Sequence, residues 1–233
     1  MVNIAKLRTL IRVPLFVVVW LTVAVAGETA MLDHNSRRNL ELIAAAGRGD
    51  LPGVEKLLGE GASVRAKDGS GKTALNNAAY GNHVEVFRRL LGAESNVNEP
   101  DNVPSSPLMT AAVRGHVEIV RLALAAGADV RSINQYGGNA LIPACHYGHI
   151  EVVRELLKTK IDVNHVNNLG WTALLETVIL GDGGIKHLEI MRLLLEHGAK
   201  VNIADRDGVA PLEHARRRGY TEMAQLLQKS TAR

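Results

Sequence analysis

Apolar residues recur along this chain at helical spacing, in short blocks bounded by polar turns. In HIEVVRELL, residues 149–157, Ile150, Val153, Leu156 and Leu157 fall on one helical face, with Glu151, Arg154 and Glu155 between them. The block recurs as HVEVFRRLL at 83–91, HVEIVRLAL at 116–124 and HLEIMRLLL at 187–195. A shorter block of small and apolar residues comes before each one: TALNNAA at 73–79, SPLMTAA at 106–112, NALIPAC at 139–145 and TALLETV at 172–178. APLEHAR at 210–216 is a further copy of it. The pattern predicts pairs of helices, a short one and a longer one, each pair set off by a polar turn.

The pairs have a fixed period. Leu42, Leu75, Leu108, Leu141 and Leu174 are each 33 residues apart, and Leu212 follows after 38 because DGGIK is inserted at 182–186. Six units result, at 36–67, 68–100, 101–133, 134–166, 167–204 and 205–230. A unit of this size cannot bury its apolar face alone, whereas stacked copies can. The expected fold is therefore an all-α repeat solenoid, about six helix–turn–helix units joined by β-hairpin-like turns.

Local chemistry supports each boundary. Thr73, Ser106, Asn139 and Thr172 stand where a side-chain oxygen caps the orphan amides of a helix start. Pro52, Pro107 and Pro211 suit a first helical position. Asn82, Gly115, Gly148, Gly181 and Gly219 mark the tight turn between the two helices, and Glu85, Glu118, Glu151, Glu189 and Glu222 put negative charge near the start of the second.

The 33-residue helix–turn–helix, the T-P-L-like cap, the G-H-x-E-x-V second helix and the G-A-D-V-N-like closure together resemble the ankyrin repeat, over about residues 36–230. LGWTALLETVILGDGG, residues 169–184, also looks like a stretch of exported bacterial ankyrin proteins. There are departures. Asn76, Met109, Ile142, Leu175 and Glu213 stand where the family has histidine after T-P-L. Glu94 and Lys160 replace the closing glycine, so looser closure is expected after units two and four.

Composition changes the picture mainly at the N-terminus. The chain has 233 residues and a formal charge of +3. Lys6, Arg8 and Arg12 lie in the first 26 residues, which hold no acid; removing these three from the 27 basic residues leaves 24, against 24 acidic. A neutral body gives no electrostatic reason to bind nucleic acid. The basic start, the apolar run VPLFVVVWLTVAVA at 13–26 and its Ala24-Val25-Ala26 end have the form of a secretory signal peptide. As a helix the run spans roughly 21 Å, short of a ~30 Å hydrocarbon core. We therefore expect a leader at 1–26, a short linker at 27–35 and the array at 36–230, with an uncleaved membrane anchor as the alternative fate of the leader. Cys145 is the single cysteine, so no intramolecular disulfide forms.

The stretch that most suggests chemistry is DGSGKTAL at 68–75. A phosphate-binding loop ending in Gly71-Lys72-Thr73 needs glycine at 66, and residue 66 is alanine. In the same register QYGGNAL and NLGWTAL mark it as one copy of the repeated turn. His83, His116, His149 and His187 share one repeat position, so they sit on separate units and serve backbone hydrogen bonding at the turn, not one metal. Cys145 takes the place of a packed alanine, and Arg216, Arg217 and Arg218 form a solvated face. No catalytic constellation, cofactor or metal is expected.

What remains is a surface. The resemblance implies a concave face made by the hairpin tips and the exposed side of the first helices. By register it holds Lys72, Arg114, Tyr136, Tyr147, Trp171, Leu180 and Arg206, with Asp182 in the insertion. Tyr136, Tyr147, Trp171 and Leu180 are the expected anchors. Trp171 can equally serve by covering the turn of the next unit. The expected function is a non-catalytic, monomeric scaffold or modulator of a periplasmic protein partner. A secreted effector or membrane-tethered adaptor acting on a host or envelope protein is the alternative. The membrane is touched only through an uncleaved leader.

Overall fold

The structure is a computed structural model and describes residues 34–103 and 105–231. The expected leader and most of the linker lie outside the described residues. The chain divides into residues 1–38 and a compact array, residues 39–233. Of the first, residues 34–38 are described, and they are helical, including the last two of the expected linker.

The array opens with helical residues 39–48 (α1) and α2 (Leu51–Gly59). Then come α3 (Ala74–Tyr80) and α4 (Val84–Leu91), α5 (Pro107–Arg114) and α6 (Val117–Ala125), α7 (Leu141–His146) and α8 (Ile150–Leu157). The last pairs are α9 (Ala173–Ile179) with α10 (Ile185–Glu196), and α11 (Pro211–Arg217) with α12 (Thr221–Thr231). No strand occurs among the described residues. The short helices α3, α5, α7, α9 and α11 stack on one another in that order, and so do the longer helices from α2 to α12. Leu42, Leu75, Leu108, Leu141 and Leu174 are all fully or almost fully buried, while Leu212 in the terminal unit is partly open.

The hairpins repeat one hydrogen-bonding scheme. Asp68, Asn134, Asn167 and Asp205 each accept two backbone amides, two and four residues on, with a side-chain oxygen. An Asx side chain thereby mimics a backbone turn. In DGSGKTAL, Asp68 holds Ser70 and Lys72, and Thr73 accepts from the amide of Asn76. The tips also bridge: the amide of Asn102 donates to Ser70, and that of Asn168 to Tyr136.

Three of the four expected caps form, at Thr73, Ser106 and Thr172. Asn139 does not cap. Its side-chain amide instead donates to the carbonyl of Asp162, and α7 starts one residue later, on Leu141, with Ala140 in the cap position. Asn82 takes a positive φ of 57° at its turn, as Gly115, Gly148 and Gly219 do, but in unit five Gly183 takes it, not Gly181. The insertion has moved the turn two residues along.

Unit two closes through a strained residue and unit four through a different bond. Glu94 adopts φ 61°, the left-handed conformation glycine would supply. Lys160 does not; there Thr159 Oγ1 donates to Leu156 and accepts from the amide of Ile161.

The longer helices carry a ladder of ion pairs. Arg121 meets Glu155 at 2.9 Å, Arg154 meets Glu189 at 2.7 Å and Arg88 meets Glu118 at 3.8 Å, each reaching the next unit. Glu118, in the first turn of α6, therefore joins units as well as matching its helix dipole, whereas Glu155 lies late in α8 and Glu189 lies past the first turn because α10 starts at Ile185. That outer side is polar and largely paired within itself.

Candidate protein-binding groove

The opposite side, formed by the hairpins and short helices, holds a groove of about 440 Å³ across units three to five. Tyr136 on a hairpin and Tyr147 at the end of α7 line it, and both stay exposed, at 58% and 54%. Leu169 and Leu180 are also exposed here, while Met109 and Ile142 make its buried wall. The exposure of the two tyrosines has a local cause. The Asn134 turn pins the Tyr136 amide, and Tyr147 follows the last residue of α7, where the chain turns outward. Tyr147 stacks on the ring of His146, with centroids 4.3 Å apart and planes 9° from parallel.

Glu176 lies at the floor of the groove and is 5% exposed. Its Oε1 accepts from Asn167 Nδ2 at 3.2 Å, and its Oε2 faces His146 Nδ1 at 3.6 Å, beyond hydrogen-bond reach. Burial pushes the Glu176 carboxyl up to about 7, against which the Asn167 hydrogen bond acts. Burial pushes His146 down, and the nearby charge of His187 adds to this. Both groups are thus driven toward their neutral forms, and the 3.6 Å contact is not a resting ion pair.

A smaller hollow of about 220 Å³ adjoins the groove and shares Val103, Ser105 and Val113 with it. Here Arg114 lies over the Tyr80 ring, its guanidinium carbon 3.5 Å from the centroid, and Lys72 Nζ is 4.8 Å from the same centroid. Burial raises the Asp101 carboxyl at its edge, opposed by the Ser105 amide and the charge of Lys72.

The model of the family described as ankyrin repeats (3 copies) matches residues 42–134, 91–167, 108–205 and 162–233. The chain belongs to the ankyrin-repeat family.

Solved structures agree along most of the array. An ankyrin repeat domain, ABAYE2397, from Acinetobacter baumannii AYE superposes with a TM-score of 0.79 at 45% identity, covering 82% of this chain and 97% of that one. The ankyrin repeat protein EF0377 gives 0.77 at 34% identity over 81% and 96%. A chain from the complex of the Bdellovibrio bacteriovorus predatory endopeptidase Bd0816 with the immunity protein Bd3460 gives 0.72 at 26% over 81% and 97%. In sequence, the putative ankyrin repeat protein YahD of Escherichia coli K12 is 57% identical over 53 residues. That match spans 23% of this chain and 26% of YahD. Ankyrin arrays are protein-interaction scaffolds and are generally non-catalytic.

Within this ankyrin array the expected site residues separate into three groups. Tyr136, Tyr147 and Leu180 line the groove, while Lys72 and Arg114 lie in the adjoining hollow. Arg206, Asp182 and Trp171 are placed elsewhere. The Arg206 guanidinium donates to the carbonyl of Asn168, tying two hairpins. Asp182 accepts from the amide of Gly184 and contacts His187 Nδ1 at 2.8 Å, folding the insertion back on its own unit. Those two contacts, the amide first, hold its carboxyl below the usual range. Trp171 is half-buried and outside the groove lining. Glu176 and His146 are the pair that spacing alone misses, because they stand 30 positions apart in different units. The available signal was a glutamate in a buried helix, at the register filled by Asn77, Thr110, Pro143 and His214 in other units.

Proposed function

We propose that this protein is a non-catalytic ankyrin scaffold that captures a periplasmic protein partner in the groove of units three to five. The observation that carries the reading is the contrast between two sides of one array. The outer helices spend their charges on one another, whereas the groove leaves two tyrosines and two leucines uncovered around a recess. Exposed aromatics on a rigid support make strong anchors because little side-chain entropy is lost on binding. The adjoining Lys72–Arg114–Tyr80 hollow supplies charge beside the apolar recess.

The resemblance to a chain of an endopeptidase–immunity protein complex supports a modulating role, in which the scaffold restrains a partner enzyme by covering it. The form of residues 1–26 supports export. Retention of that segment favours the second reading, a membrane-tethered adaptor. Cell fractionation with N-terminal sequencing separates the two. A soluble periplasmic chain beginning near residue 27 is expected, and full-length protein in the membrane fraction overturns the periplasmic reading.

A further inference from the structure

The groove has a charge character of its own. Among the described residues that line it, Glu176 is the only carboxylate and none is a lysine or arginine. One carboxylate oxygen is held by Asn167, and the other, 3.6 Å from His146 Nδ1, makes no hydrogen bond among the described residues. The recess above it is lined by apolar side chains and by Tyr136, Tyr147 and His146, the last two stacked on each other. We propose that the groove takes an arginine side chain of the partner, its guanidinium meeting Glu176 at the floor and lying against the tyrosine rings.

The match is one of chemistry. A buried carboxylate with a free oxygen calls for a cation that can follow it out of water. Guanidinium is more weakly hydrated than ammonium, and it is planar, so it stacks on aromatic faces while donating edge-on to a carboxylate. Lysine fits less well, since its compact ammonium keeps its water more strongly. The proposal rests on the groove being the binding face and names what enters it.

Binding of this kind is coupled to pH. Glu176 must be ionised to meet the cation, and burial otherwise favours its protonated form. Of the titratable groups on the packed helices, His146 of α7 faces Glu176, Cys145 of α7 feels its charge, His187 of α10 acts on His146, and His214 of α11 is paired with Asp205 at 2.7 Å; Lys186, Glu189, Arg192 and Glu196 of α10 and Glu213, Arg216 and Arg217 of α11 complete the set. His146 is pushed down, so it does not supply the missing positive charge at neutral pH, and the Cys145 thiol, pushed up by burial, adds no negative charge beside Glu176. The incoming guanidinium does, and it displaces the Glu176 proton to solvent.

The test titrates the full chain with N-acetyl-arginine N-methylamide, followed by NMR at pH 8.5 and pH 5.5, with the lysine and norleucine analogues alongside. At pH 8.5 the arginine probe is expected to shift the Tyr136, Tyr147 and His146 signals saturably, at least tenfold more tightly than norleucine and more tightly than lysine. Glu176→Gln and the drop to pH 5.5 should each weaken it about tenfold. Equal binding of the three probes, binding indifferent to Glu176→Gln, or no saturable shift in the groove overturns the proposal. Unchanged amide spectra outside α9 establish that the variant is folded. Partner cross-linking from position 147 that persists while the arginine probe fails removes this inference and leaves the binding face standing.

Discussion

His149 Nε2 lies 3.0 Å from the carbonyl oxygen of Val113, 36 positions earlier in the chain. A carbonyl only accepts, so this nitrogen carries the proton. The bond joins the start of one long helix to the end of the preceding unit's short helix. His83 does the same to Gly47, His116 to Ala79 and His187 to His146. In the last unit Tyr220 stands in this register, and its hydroxyl donates to Gly181. The repeated histidine is an inter-unit clasp. His149→Ala should therefore lower stability by ~1–2 kcal/mol, because it leaves an inward carbonyl unpaired. It should also broaden the urea transition, since coupling between neighbours is what makes a repeat array unfold together. An unchanged midpoint and slope would show that the clasp carries no energy.

The turn before each clasp has to make room for it. Gly115 has φ 75°, and a Cβ there would come within 2.6 Å of His149 Nδ1. By register, Asn82 is the one such turn residue that carries a side chain before a histidine clasp, and His116, facing it, reaches by Nδ1 where the other three reach by Nε2. Gly115→Ala combines a left-handed backbone penalty of ~1 kcal/mol with that contact. It should cost about 2 kcal/mol by thermal or urea unfolding. Gly127→Ala, at φ 82° with open space around the Cβ, should show the backbone part alone.

Glu176 makes stability depend on pH in a stated direction. Its carboxyl is raised to about 7 in the folded chain from an ordinary 4.5. Between those values the folded chain holds a proton that the unfolded chain has lost, so stability falls as pH rises through the window and levels off above about 7. The total is about 3 kcal/mol, on the order of the shift itself. His146, lowered in the folded chain, acts oppositely, and its contribution rises with pH as the unfolded histidine loses its proton near 6.5. Glu176→Gln should remove the fall between pH 4.5 and 7 and leave the rise from His146. Urea unfolding from pH 4.5 to 8 measures both. A Glu176→Gln profile that matches the parent would show that the carboxyl is not buried as described.

Much of this was legible in the sequence because ankyrin units are local. Caps at Thr73, Ser106 and Thr172, the polar turns and the 33-residue spacing of Leu42 to Leu174 depend on neighbours within one unit. The histidine register was legible too, as a backbone contact, although its partner in the preceding unit was not. What escaped depends on two units at once or on small shifts of the chain. Asn139 makes no cap because α7 starts one residue later, and the insertion carries the turn from Gly181 to Gly183. The Glu176–His146 floor appears only when α7 and α9 are stacked. Of the eight expected surface residues, the groove gathers three, Tyr136, Tyr147 and Leu180, all of them exposed. Arg206 and Asp182 have partners within the array.

Trp171 provides a contrast between packing and binding. It sits half-buried at a hairpin, outside the groove lining. Trp171→Ala is expected to lower the urea midpoint while leaving partner capture by the remaining folded protein intact. Capture lost with an unchanged midpoint would make it an anchor.

The groove of units three to five is proposed as the face that holds a partner. Site-specific photo-cross-linking in the source cells tests it most directly, with a benzophenone amino acid at position 147 and, separately, at position 192 on the outer side of α10. A discrete protein adduct is expected from position 147, none from position 192, and loss of the first when Tyr136 and Leu180 are changed to serine in a chain that still unfolds cooperatively. Adducts from position 192 with none from position 147 would contradict the proposal.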